Sequence, residues 1–336
     1  MKGWLYVRFA PLVLIVVTAS AVAQGAAPSE IALTDATRVV FAGVTQGRAL
    51  AATADEYSAR TSALERQLKV RTTQTLTEAG YLAELAADVR DWTDDERARV
   101  AQAWAPLVTA LRELPLPLPA RVTLVRMSGR VMGEQVAYTR GDAIYLPVGM
   151  VSAGVPTPAL TSLLAHELFH VASRHDRRWR DAMYATVGFR ALPEVVLPAA
   201  LAARSMVNPD APRLDSAIRV AIGDRSDVWV LPVLQSTLER IGDPPPLHFM
   251  AVLSLRWLEV GQGAAPPARA QLGDPPRLHD TRDLRGFAEQ IGRNTNYIIH
   301  AEEILASNYA QMVMGAPAAQ SPDVHERMRA VLRAAR

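Results

Sequence analysis

The stretch LLAHELFHVASRH, residues 163–175, carries two histidines and a glutamate at the spacing H-E-x-x-H in otherwise apolar company. On an α-helix, positions i and i+4 differ by about 40° in azimuth, so His166 and His170 project from one face and can reach a single ion. Zinc takes neutral imidazole nitrogens, and a catalytic zinc site uses three protein ligands and keeps one position for water. Glu167 stands beside His166 but turned further round the helix, close to that water and outside the coordination sphere. It is placed to take the water's proton. Two core histidines and a glutamate held by hydrogen bonds alone would bury three costly polar groups for no gain. The residues therefore predict a metal site with a general base.

A third ligand has to come from elsewhere. His175 lies nine residues after His166, which puts it on the opposite face of the helix and at the surface. Ser173 also stands where H-E-x-x-H-x-x-G-x-x-H would need glycine. Downstream, IIHAEEILASNYAQ opens a helix with two glutamates, an arrangement the helix dipole favours by itself. Taken with H-E-x-x-H, this segment resembles the gluzincin metallopeptidases, in which a second helix supplies a glutamate ligand followed by a small residue and an aspartate. The resemblance implies Glu303 as the third ligand, with Ala306 at +3 allowing close helix approach; Glu302 and His300 are the alternatives. Ser307 occupies the place of the family's aspartate, which leaves Ser307 or Asn308 to accept the imidazole N–H.

The same resemblance, on two short motifs within residues 121–315, implies one Zn2+ per chain and hydrolysis of peptide or protein substrates with Glu167 as general base. It also implies a tyrosine or histidine that steadies the oxyanion. Tyr184, Tyr297, Tyr309 and His325 are available, and Tyr297 is favoured because it sits just ahead of the ligand helix. Two other readings stand beside the peptidase. One is a non-catalytic protein braced by zinc that binds a cell-envelope partner; the other is a zinc hydrolase acting on a non-peptide amide.

Composition narrows the field further. The chain has 336 residues, 49% hydrophobic, and no cysteine, which removes thiolate catalysis, cysteine zinc knuckles and disulfides together. The formal charge is only +2, lysine occurs at just Lys2 and Lys69, and no basic run is interleaved with aromatics, so nucleic acid is not an expected partner. The arginine-rich run RHDRRWR (174–180) reads as a solvated helix exit. GQG at 261–263 does not open a helix, and no G-x-S-x-G occurs, which removes a dinucleotide site and a serine hydrolase. At the N-terminus, Lys2 and Arg8 precede an apolar run to Ala23 that ends in AVA. This is the form of a secretory signal peptide cleaved after Ala23, so the mature chain is expected in the periplasm or outside the cell, with no lasting membrane span.

The elements that must hold the site follow from pattern. Thr93 with Glu96 predicts a capping box, and the region 24–114 reads as helices. The prolines of LPLPLPA (114–120) stop that character and suggest a boundary. RVTLVRM (121–127) alternates, and EQVAYTRGDAIYLP (134–147) reads as a hairpin turning at Arg140-Gly141-Asp142. A helix capped by Thr157 then carries the motif. Mixed apolar runs occupy an inserted segment of about 177–292, before the helix with Glu303 and a last helix from Ser321. The expected fold class is α+β: a zincin-like core of small sheet, active-site helix and ligand helix over 115–336, with a helical N-terminal portion. In such cores substrate pairs with the sheet edge.

Overall fold

The computed structural model describes residues 29–315 and 319–334. The segment read as a signal peptide lies outside the described residues. The chain begins as strand: β1 (Glu30–Ala32) and β2 (Arg38–Phe41) pair antiparallel. Four helices follow, α1 (Val44–Ala52), α2 (Ala63–Val70), α3 (Glu78–Ala87) and α4 (Asp94–Ala110). The expected capping box opens α4: the Thr93 hydroxyl accepts from the Glu96 N–H, and the Glu96 carboxylate accepts from the Thr93 N–H.

β3 (Arg121–Met127), β4 (Tyr138–Arg140) and β5 (Ala143–Pro147) complete the first sheet, in the order β1-β2-β3-β5-β4. β2, β3 and β5 run parallel, and β4 returns antiparallel along the edge, joined to β5 by the turn at Gly141-Asp142. Every residue of β5 is buried, as befits a strand covered on both faces.

The start of the supposedly helical N-terminal portion is thus strand. β1 and β2 have three and four residues, too few to display an alternation. Their partner β3 arrives only after four helices. β2, before the proline stretch 114–120, pairs with β3, after it, so one sheet spans the stretch.

After α5 (Val148–Val151) comes α6 (Thr157–His175), which holds the motif. Its cap position is Pro156, with no side-chain cap bond. Thr157, expected as the cap, is the first helical residue, and its carbonyl accepts from the Thr161 hydroxyl. Leu160, Leu164, Leu168, Phe169 and Val171 are buried in the main core with Trp104 and Leu107 of α4. Each such side chain contributes roughly 1.5–3 kcal/mol by burial. That makes α6 one of the most rigid supports the chain can offer a site.

The inserted segment is a second sheet. α7 (Arg177–Thr186), β6 (Phe189–Ala191) and α8 (Ala199–Ala202) lead into β7 (Ser216–Ile222), β8 (Arg225–Ser236), β9 (Leu253–Gln262) and β10 (Leu278–His279). The strands are all antiparallel, in the order β10-β9-β8-β7-β6. Alternation along β8 is clean: Val228 and Val230 join the main core, while Trp229, Leu231 and Val233 cover the other face. α9 (Phe287–Ile291), α10 (Ala301–Val313) and α11 (Pro322–Ala334) end the chain. The architecture is α+β. Among the described residues, no helix is long and apolar enough to cross a membrane.

One ion-pair cluster ties the second sheet together. Glu259 on β9 accepts two hydrogen bonds from Arg225 on β8, at 2.7 and 2.8 Å, and one from His279 on β10, at 3.1 Å. The Arg225 bonds, with help from His279 and against the pull of burial, lower the Glu259 carboxyl to about 2. Because the folded value lies below the unfolded one, the resulting stability is present above about pH 4.5 and is lost as pH falls toward 2. Glu259→Gln should therefore cost about 1 kcal/mol at pH 7, after discounting for solvent screening. Urea midpoints taken across pH should show the gap between the two proteins closing below pH 4.5.

Candidate metal centre

The site is built where α6 meets α10. α10 starts at an N-cap histidine: His300 is extended, and its Nδ1 accepts from the Glu302 N–H. Glu302 and Glu303 then fall in the first helical turn, where the positive end of the dipole favours them. Small residues Ala165, Ala301 and Ala306 are fully buried in the shared core, which suits two helices at close range.

Across this contact His166 Nε2 lies 3.0 Å from Glu303 Oε2, and His170 Nε2 lies 3.6 Å from the same oxygen. The three residues offer ligand atoms within 4.8 Å of one another. Donor atoms around one tetrahedral zinc at ~2.1 Å would stand ~3.4 Å apart, so the observed spacing suits one small cation. The sequence-derived set of His166, His170 and Glu303 is brought together. Glu302 and His300, the alternatives for the third ligand, have other tasks.

Glu302 faces the far side of the same imidazole. Its Oε1 accepts from His170 Nδ1 at 2.9 Å, and its Oε2 accepts from Ser173 at 2.7 Å and from Tyr184 at 2.6 Å. A carboxylate can only accept, so Nδ1 carries a proton and it is Nε2 that is turned toward Glu303 and the place of a metal. Neither Ser307 nor Asn308 plays this part. Ser307 lines the cleft, and Asn308 accepts from Asn294 and donates to the Ile304 carbonyl, fixing a loop instead of an imidazole.

The oxyanion candidates sort themselves by position. Tyr297 stacks near His166, with centroids 6.2 Å apart, and stands half-exposed at the cleft. Burial, and then the charge of Glu303, push its hydroxyl upward, so it stays a proton donor. Tyr184 is buried on Glu302, Tyr309 donates to the Leu114 carbonyl in the core, and His325 belongs to α11 and does not line the cleft. His175 is exposed at the last residue of α6.

Two further side chains at this cluster were not apparent from the sequence. Asn208 donates to Glu303 Oε1 at 2.6 Å, which leaves Oε2 to face the histidines. Asp210 joins Glu167 and His170 in a second group of close ligand atoms. Both sit on a strap whose carbonyls at Pro209 and Asp210 accept from Arg174, while Asp210 Oδ1 accepts from the Thr139 N–H and hydroxyl on β4. Arg174 is therefore a structural pin, not part of a solvated helix exit. Polar residues around a proline read as an ordinary turn, and nothing in NPD announces that it crosses the cluster of His166, His170 and Glu303.

The electrostatics favour positive charge. Burial works against a charge on His170, but Asp210, Glu303 and Glu302 outweigh it and raise the imidazole well above its ordinary value. Burial would also raise Glu303, yet His170 and His166 hold it well below the usual carboxylate range. Glu167 goes the other way: burial, reinforced by the charge of Asp210, pushes it well above. Its Oε2 is buried with no hydrogen-bond partner. An acid lifted by its surroundings, beside a cation site and with an oxygen to spare, is the profile of a group that exchanges protons.

His166, Glu167 and Glu303 line one cavity of about 600 Å3 that opens between the two sheets' loops and α10. No family model, curated protein or solved structure matches the chain.

Proposed function

We propose that this chain is a zinc-dependent peptidase of gluzincin type that works outside the cytoplasm after removal of its N-terminal segment. The observation that carries the reading is the convergence of His166 Nε2, His170 Nε2 and Glu303 Oε2 beside Glu167, whose buried Oε2 has no hydrogen-bond partner. The zincin-like character of the core is part of the proposal, supported by an antiparallel edge strand, β4, packed beside α6.

Bound by His166, His170 and Glu303, zinc would supply a Lewis acid that polarises a carbonyl and acidifies a water. The rest falls to the chain. Glu167 accepts a proton from the attacking water and delivers it to the departing amine, a double task that its raised proton affinity suits. Glu302 holds His170 in the tautomer that ligates, and Asn208 does the same for the orientation of Glu303. Tyr297, protonated and half-exposed beside His166, donates to the oxygen on which charge develops.

The test is direct. Purified chain should hold one zinc by elemental analysis and cleave quenched-fluorescent peptides, with cleavage lost on chelation and restored by zinc. Absence of metal would sink the whole reading; one zinc with no cleavage of any peptide would sink the peptidase and leave the metal.

A further inference from the structure

The cavity at the candidate metal centre has a mainly apolar lining, with Gln135, Ser162, Thr295, Ser307 and Gln311 as its uncharged polar side chains beyond Asn208 and Tyr297. Its charged groups are His166, Glu167, Asp210, Glu303 and Lys69, and much of the rest of its wall is Val136, Leu163, Leu234, Phe249 and Leu253 with a set of methionines. Among the described residues, Lys69 is the one lysine or arginine on that wall, and its charge is spent internally. Its ammonium is paired with Glu65, donates to the Tyr57 hydroxyl at 2.8 Å and lies 5.2 Å from the Phe249 ring centroid. The side chain is 1% exposed, so no free charge faces the apolar part of the cavity.

Size and softness add to this. About 600 Å3 falls within the range of pockets that engulf whole ligands and exceeds the need of one side chain. Met132, Met150, Met206 and Met250 line it, four of the chain's ten methionines. Methionine is flexible and polarisable and repacks around different apolar partners. Of the lining residues, Met250 is 45% exposed and Tyr297 42%, so apolar surface at the cavity reaches solvent.

We infer that the cavity is a specificity pocket for polypeptide segments with bulky apolar side chains at two or more positions around the cleaved bond. Short peptides of alanine and charged residues are rejected. That a bond is cleaved rests on the peptidase reading, but the pocket's preference is a binding property and can be measured without turnover. Charged side chains are excluded because the apolar wall would strip their water and return no partner. The methionine-rich wall makes the pocket broad among apolar residues instead of tuned to one.

The experiment uses the full mature chain carrying Glu167→Gln, which prevents turnover, and two fluorescein-labelled peptides of equal length. One is rich in leucine and phenylalanine; the other replaces these with alanine, glutamate and lysine. Fluorescence anisotropy should show the apolar peptide binding at least tenfold tighter. Adding Met150→Glu on the half-buried wall should weaken the apolar peptide about tenfold and improve a version with lysine at the same positions. Met250→Lys at the exposed mouth repeats the test without touching the core, should Met150→Glu fail to fold by circular dichroism. Equal binding of the two peptides, or apolar binding untouched by both variants, overturns the inference. Cleavage assays on the parent chain keep the two ideas apart. Selective binding with no cleavage supports the pocket and sinks the peptidase, whereas cleavage of both peptides at one rate sinks the pocket alone.

Discussion

Glu167→Gln is expected to lower peptide hydrolysis by a factor of roughly 10²–10⁴ while one zinc stays bound per chain. The substitution keeps the length and shape of the side chain and removes only its ability to accept and return a proton. Glu167 is not in the group of His166, His170 and Glu303, whose two imidazoles converge on Glu303 Oε2, so the metal should not notice the change. His170→Ala should behave in the opposite way and lose the metal with the activity. The glutamine variant should also be no less stable than the parent. Burial and the charge of Asp210 both disfavour the Glu167 carboxylate, so a neutral amide relieves a cost that only function justifies. Activity, zinc content and thermal midpoint measured on the same preparation decide the matter. Hydrolysis at the parent rate would strip Glu167 of its role, and loss of zinc along with activity would move Glu167 into the ligand set.

How much of this was legible beforehand depends on how local each feature is. His166, Glu167 and His170 sit within five residues, and helical geometry alone sets their directions. Glu303 acts on His166 from 137 residues away; only a family resemblance pointed to it, because no pattern within α10 says which helix it will meet. An acceptor for the first histidine, His166, is expected one turn on, at Ser307 or Asn308; the structure instead places a carboxylate on His170 Nδ1, from the residue just before Glu303. Consecutive residues on a helix diverge by 100°, so Glu302 and Glu303 pass on either side of α6's histidine and hold it by its two nitrogens.

The fold divides along similar lines. The hairpin of β4 and β5 and the long strands β7, β8 and β9 showed themselves as alternation or apolar runs. β1 and β2 did not, since a strand of three or four residues is specified by its partner and not by its own pattern. The strap with Asn208 and Asp210 is the extreme case. Its conformation is dictated by Arg174 and Thr139, which belong to other elements, so its own residues read as a turn.

Glu302 gives the second large effect, and it separates holding a ligand from being one. Glu302→Ala should weaken zinc binding by about 10–100-fold, the usual effect of losing the group that orients a ligating imidazole. It should also cost about 3–5 kcal/mol of stability, because His170, Ser173 and Tyr184 all donate to this one fully buried carboxylate. Glu302→Gln keeps the shape but turns one acceptor into a donor, which opposes at least one of those three groups. Its losses should run the same way and be smaller. Zinc affinity by competition with a chromophoric chelator reports the first effect, and urea midpoints of metal-free protein report the second. A ligand role would instead abolish zinc binding in both variants. Should Glu302→Ala bind zinc as tightly as the parent, the imidazole of His170 would not depend on Glu302 for its orientation, and the two-sided grip of α10 on α6 would be packing alone.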